Sequence, residues 1–420
     1  MIYGIFWQKI KYNFLEQKAE IMHMISLLCR KAHWMILGCS IFTLSGCGFL
    51  MNKDTNKKLT HLEYTVSEAP KWTALFNRDS GWLGGDGIFA IPMRSTDEKH
   101  RTDSVLFVFS DTVIGEIVNG KLKPGFRLVH NSVAKLKGVM PENGRFYYAA
   151  DKKGKPQTMF TPSTAHAEEG DYYWLGDGFV NKALDNKVFI FAYRMHNEGS
   201  GAWSFKQKGT TLIVLQPGSK PPFKNQKQIE TPFIIKGSDT GNGTLGAGIF
   251  ANTESAAAPH PDGYIYVYGV KGKAKSLFVG RVLPENIKKF DLWRFWDGEN
   301  WVKGMKQAAV ITDSVSNELS VSPMPDGRYA LVFQVNGMSN TVGLRLGLSP
   351  YGPFGPIIKV WNCKEPQHKN YYTYNAKAYP ALSKKGELLI SYNVNAFHFL
   401  DEIKKNPHLY RPRFVKIEYK

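Results

Sequence analysis

The chain has 420 residues and a formal net charge of +18, with 54 Lys and Arg against 36 Asp and Glu. That length allows two or three domains or one large all-β domain; 13% aromatic residues, 39 glycines, 22 prolines and short apolar runs exclude a bundle of long helices and favour the all-β body. The basic residues are scattered through turns such as DKKGKPQ (151–157) and KGKAK (271–275), which excludes nucleic acid as a partner and fits a solvated face attracted to anionic membrane or an acidic polymer.

The first predicted element is a targeting segment. In MHMISLLCRKAHWMILGCSIFTLSGCGFL (22–50), Arg30 and Lys31 form a basic region, Met35 to Leu44 an apolar one, and Leu44-Ser45-Gly46-Cys47 a small-residue cleavage site. This order resembles the lipobox of bacterial lipoproteins. The resemblance implies a signal region over 1–46, with Met22 or Met24 as alternative starts, and makes Cys47 the lipid-bearing (palmitoylated) first mature residue of a protein anchored in the bacterial cell envelope. An uncleaved anchor is the alternative, for which the apolar run is short. Processing at Cys47 leaves Cys363 as the lone thiol, so neither a disulfide framework nor a cysteine metal site is available.

Residues 47–71 are polar and are expected to form a tether between lipid and folded body. From residue 72 to the C-terminus one unit recurs: a polar stretch rich in small residues, a turn of the Asp-Gly or Lys-Gly kind, an apolar strand with aromatics, and a second strand. It is seen as GWLGGDGIFAIPM with SVLFVFSDTVIG, and as YYWLGDGFVNKALDNKVFIFAYRM with GTTLIVLQ. It returns as TESAAAPHPDGYIYVYGV with SLFVGRVL, NELSVSPMPDGRYALVFQVN with TVGLRLGLS, and NAKAYPALSKKGELLISYNVN with RPRFVKIEY. Recurrence in inner-strand, turn, middle-strand order predicts a single-domain five-bladed β-propeller over 72–420, expected to be monomeric.

The first strand of each blade lines the axis, so the units bring Asp86, Asp177, Glu254, Glu318 and the Asn375/Lys377 pair to one funnel. The glycines around Asp86 let backbone approach closely there. Asp177 in LGDGF also reads as an ordinary turn, and Asp111 in SDT either caps local amides or joins the site. Trp82 and Trp174, each a few residues before an axial Asp, read either as stacking platforms for a sugar ring or as core between blades.

These segments, together with HNSVA (130–134) and GPFGP (352–356), resemble the domain-of-unknown-function families 4185 and 5005 of secreted and lipid-anchored bacterial proteins. The match runs in the families' order over nearly everything after residue 72, and the WLGGDG and WLGDG pair is closer to 5005. Family 4185 is similar to five-bladed propeller glycosidases, and members are assigned as endo-acting enzymes on D-arabinan. The resemblance therefore implies a glycoside hydrolase acting on a furanose-containing, arabinan-like polysaccharide. Where related chains often carry His near KAYP, this one has Tyr379.

Hydrolysis of a glycoside needs one carboxylic acid and one carboxylate, and a crowded ring can supply both because burial pushes carboxyl pKa values apart. On this reading Asp86 is the base or nucleophile, Glu254 or Glu318 the acid and Asp177 the tuning carboxylate; Asp111, His130, Asn131, Arg345, Asn375 and Lys377 hold sugar hydroxyls. No metal or cofactor is expected; axial oxygen ligands would suit a calcium ion, but no motif specifies one. A glycan-binding lipoprotein without turnover is the alternative, and a structural propeller the third.

Overall fold

The computed structural model describes residues 53–93, 104–138, 140–199, 201, 203–237 and 242–420. The signal region, the lipobox and Cys47 lie outside the described residues. The chain divides into units 1–51 and 52–420, and the fold is that of the second. Among the described residues no helix is long and apolar enough to cross a membrane.

The unit is all-β and propeller-like. Its first sheet runs Phe89–Met93, Ser104–Phe109, Ser132–Lys137 and Gly144–Tyr147, and its second Tyr172–Asn181, Lys187–Asn197, Phe205–Leu215 and Lys227–Thr231. The third takes Gly243–Asn252, Tyr264–Lys271 and Ser276–Val282, with short strands added on both edges. The fourth is Leu319–Pro323, Tyr329–Gln334, Thr341–Gly347 and Ile358–Asn362. The fifth is Tyr371–Ala378, Glu387–Ala396 and Arg413–Tyr419, completed by Tyr64–Glu68 from the other end of the chain. Inner strands of successive sheets pack side by side from the first sheet to the fifth.

Middle strands are continuous apolar runs because both faces are covered. In Val188–Ala192 every side chain is buried. The core lies between sheets: Phe191, Leu212, Leu245, Val267, Phe278 and Trp293 fill the space between the second and third. Burying each of these side chains contributes about 1.5–3 kcal/mol. Pairing of Tyr64 with Tyr419 and of Val66 with Ile417 joins the start of the folded unit to its last strand and covers the outer edge of Arg413–Tyr419. The strand Tyr64–Glu68 and the helix Lys53–Thr60 thus belong to the folded body, a correction to the tether expected over 47–71.

The third repeat is also corrected. Its inner strand is Gly243–Asn252, containing LGAGIF, and TESAAAPHPDG forms the connection to the next strand. Bulges interrupt three inner strands, between Leu175 and Gly178, between Leu245 and Gly248, and between Tyr374 and Lys377. They place Asp177, Ala247 and the Asn375-Ala376 pair in corresponding irregular positions, where a bulge re-aims side chains.

Candidate active site

Asp86 and Asp111 are positioned by one crossing of two chain segments. Ser80–Gly85 pairs with Thr112–Val118, and on the far side Phe89–Met93 pairs with Ser104–Phe109. Asp86 and Asp111 sit at the junction, where the Asp86 amide donates to the Asp111 carbonyl (3.2 Å) and the Ser110 amide to the Asp86 carbonyl (2.8 Å). Two glycines make this geometry accessible. A Cβ at Gly84 would overlap the Tyr410 carbonyl, and Gly87 has φ +60°, a left-handed conformation that glycine adopts without strain.

Asp86 is buried between two tyrosines, Tyr374 and Tyr410. Its Oδ2 accepts a hydrogen bond from Tyr374 (2.7 Å), and the Tyr410 hydroxyl also lies against the carboxyl. Burial, reinforced by the charge of Asp111, pushes its carboxyl up to about 8 against the opposing hydrogen bond of Tyr374. Asp111 is different. Its side chain is 37% exposed, and its Oδ1 lies 3.1 Å from His130 Nδ1, whose ring stacks on Tyr172 at 3.9 Å. Two neighbouring carboxyls therefore sit in unlike surroundings.

Asp177 accepts from the amides of Gly178 (2.8 Å) and Ile249 (2.7 Å), bridging the second and third sheets, yet burial still pushes it up to about 7. Glu318 precedes the fourth inner strand. Its Oε1 accepts from Asn375 Nδ2 (2.7 Å), and its Oε2 lies 2.5 Å from Lys377 Nζ in an ion pair without hydrogen-bond alignment. Burial raises the Glu318 carboxyl despite that lysine. Asp86, Asp177 and Glu318 are near enough to feel one another's charge through Glu318, so first, second, fourth and fifth sheets share one polar ring.

Other expected residues lie elsewhere. Glu254 is exposed in the short turn Glu254–Ala256 after the third inner strand, because the strand carries Ala247 where the first two repeats carry Asp. Trp82 is 1% exposed and packs on Phe76, Phe109 and Phe146, so it is core, not a sugar platform. Asn131 is fully buried and spends its amide on the carbonyls of Phe160 and Tyr173 and the amide of Phe160. Arg345, on the third strand of its sheet, bonds the Gly355 carbonyl and pairs with Asp313. Tyr379 is buried, donating to the Ile88 carbonyl and bonding Ser391.

Three tyrosines join the site without a motif to mark them. Tyr374 and Tyr410 flank Asp86, and Tyr193 from the second sheet places its buried, unpartnered hydroxyl beside Asp177 and Glu318. Trp174 Nε1 is likewise buried without a partner. Glu168, Asp171 and His196 have ligand atoms within 4.8 Å of one another, but Asp171 is already paired with Arg194 at 2.6 Å and His196 at 2.8 Å. That network braces the start of the second inner strand. A surface cavity of about 370 Å³ beside the joined chain ends, lined by His61, Asp326, Arg328 and Tyr419, contains none of the ring carboxyls.

No curated protein matches the sequence. Among solved structures, a protein from Bacteroides ovatus ATCC 8483, provisionally described as a hydrolase, is 20% identical, covering 84% of this chain and 90% of its own at a TM-score of 0.63. An exo-β-1,3-galactanase from Phanerochaete chrysosporium is 10% identical over 80% of this chain and 62% of its own, at 0.41. The first likeness is one of fold; the second is too remote to bear on chemistry. The model of the domain of unknown function DUF5005 matches residues 70–419, every sheet strand but Tyr64–Glu68, and the chain belongs to that family.

Proposed function

We propose that this protein is a glycoside hydrolase whose proton donor is Asp86 and whose base or nucleophile is Asp111. The observation that carries the reading is the contrast between two neighbouring carboxyls: one buried, with its pKa pushed up to about 8, the other partly exposed and paired with His130. Sequence alone points to Asp86 as base or nucleophile; its raised pKa suits it to the opposite role. At neutral pH Asp86 gives its proton to the leaving glycosidic oxygen as the bond to the anomeric carbon breaks. Asp111 either bonds that carbon, to be displaced later by water, or takes a proton from the water that attacks it. Carboxyl separations of about 5 Å and about 6.5–9.5 Å correspond to these two courses.

Glu318, paired with Lys377, and Asp177, held by two amides, shape the field around Asp86. Buried polar atoms in proteins are normally satisfied. The unpartnered Tyr193 hydroxyl and Trp174 Nε1 are groups to which sugar hydroxyls can bond. The proposed two-carboxylate course uses no cofactor or metal for its proton transfers.

The same proposal takes the five sheets numbered above as the blades of a closed five-bladed propeller, acting as a monomer, with the pair Ser80–Gly85 and Thr112–Val118 outside them. It places the protein in the bacterial cell envelope through lipid on Cys47, with a furanose-containing, arabinan-like polymer as its substrate. Exposed Trp203 and Phe397 would also serve a glycan-capturing lipoprotein without turnover. The test is release of reducing sugar from arabinan, galactan and xylan by the full chain beside Asp86→Asn. Release by the parent, lost in a variant that still binds the polymer, supports hydrolysis. Binding without release by either chain supports capture instead.

A further inference from the structure

Among the described residues, Trp203 (56% exposed) and Phe397 (49%) are the strongly exposed large aromatic side chains, and both pack on one ring, Tyr372. They come from different sheets. Trp203 belongs to the connection between Lys187–Asn197 and Phe205–Leu215, and Phe397 directly follows Glu387–Ala396. Their centroids lie 6.3 and 4.9 Å from that of Tyr372, which stands 5.4 Å from Tyr374, the donor to Asp86. A second path leads from Trp203 through Phe205 (6.1 Å) to Trp174 (4.7 Å), then through Tyr172 (6.0 Å) to His130 (3.9 Å), the partner of Asp111. Both ends of this aromatic arch thus terminate on the proposed catalytic pair.

We infer that Trp203, Tyr372 and Phe397 form a binding surface for neutral sugar rings of the substrate chain, one or more residues away from the bond that is cut. The inference rests on the glycoside hydrolase reading for its ligand. Exposed aromatic patches continuous with a polar site mark binding surfaces, and aromatic faces accept the C–H face of a sugar while its rim hydroxyls stay in water. The occupant is neutral because the rings of Trp203, Tyr372 and Phe397 carry no charge with which to hold an anion. Lys377, the lysine of the ring, is already paired with Glu318 and offers an acidic chain no free cation. A long contact surface also favours polymers over short glycosides.

The experiment is electrophoretic retardation of the full chain in gels containing arabinan, xylan or polygalacturonate. Parent, Asp86→Asn, the double variant Trp203→Ala/Phe397→Ala, and Trp203→Phe are compared, with reducing-sugar release and thermal unfolding measured alongside. The expected result is retardation of parent and Asp86→Asn by a neutral polymer, at least about tenfold weaker in the double variant, and mostly retained in Trp203→Phe. Unfolding temperature should be unchanged, since both side chains are exposed. Equal retardation of the double variant, retardation by polygalacturonate alone, or retardation of the parent by none of the polymers overturns the inference. Aromatic-dependent retardation without sugar release sinks the hydrolase reading and leaves this surface; release with indifferent retardation does the reverse.

Discussion

Asp86→Asn should cost activity and repay stability, by an amount that depends on pH. The parent carboxyl, held near 8 in the fold by burial and by Asp111, titrates near 3.9 when unfolded. Between these values the folded chain holds a proton that the unfolded chain has released. Stability from this group is therefore fully present below about pH 4 and falls by about 1.36 kcal/mol per unit until about pH 8. From pH 5 to pH 7 the loss is about 3 kcal/mol. Asparagine keeps the shape and titrates nothing, and Asp177, pushed up to about 7, contributes the same trend to both chains. Subtracting the variant from the parent therefore isolates Asp86. Urea unfolding of both chains at pH 5, 6 and 7 is the assay. Parallel stability curves would refute the reasoning, because they would mean that Asp86 is already ionised in the fold at pH 5.

Tyr374→Phe removes a hydrogen bond that favours the ionised form of Asp86, so the alkaline limb of kcat/KM against pH should move upward from about 8, read from initial rates across pH 6 to 10. Lys377→Met leaves Glu318 buried without its cation and should cost about 3–5 kcal/mol, with Lys377→Met/Glu318→Gln losing less in the same denaturation assay. Trp82→Ala should destabilise by about 3–5 kcal/mol and leave the KM of the remaining folded enzyme unchanged, as expected of a core side chain. Gly84→Ala should destabilise by several times the typical surface substitution, on the order of 2–4 kcal/mol, since its methyl meets the Tyr410 carbonyl; thermal unfolding measures it.

The repeat of small-residue segment and apolar hairpin was legible because strand and turn chemistry is local. The third unit slipped by about one strand for an equally physical reason. An acidic residue marks the inner strand in GGDG and LGDG, whereas LGAG keeps the glycine frame with Ala247, and the nearest acid, Glu254, belongs to a turn. Asp86 and Asp111 stand in visible motifs, yet their roles depend on Tyr374 and Tyr410, which arrive some three hundred residues later. Burial assembled across that distance leaves no local trace. The alternation in YYTYN does place Tyr372 and Tyr374 on one strand face, a usable signal for the arch. Tyr193, inside the apolar run VFIFAY, offers none, and Trp82 fills the core because its strand faces Phe76 and Phe146.

The most direct test of two-carboxylate hydrolysis is chemical rescue. The full chain, Asp86→Asn and Asp111→Ala are incubated with arabinan, galactan and xylan, with and without sodium azide, and the products are identified by mass spectrometry. The account predicts release by the parent, loss in both variants, and azide-dependent release of glycosyl azide by Asp111→Ala, in which the small anion occupies the place of the missing carboxylate. Undiminished release by Asp111→Ala without azide, or the absence of release from every polymer by the parent, would contradict it.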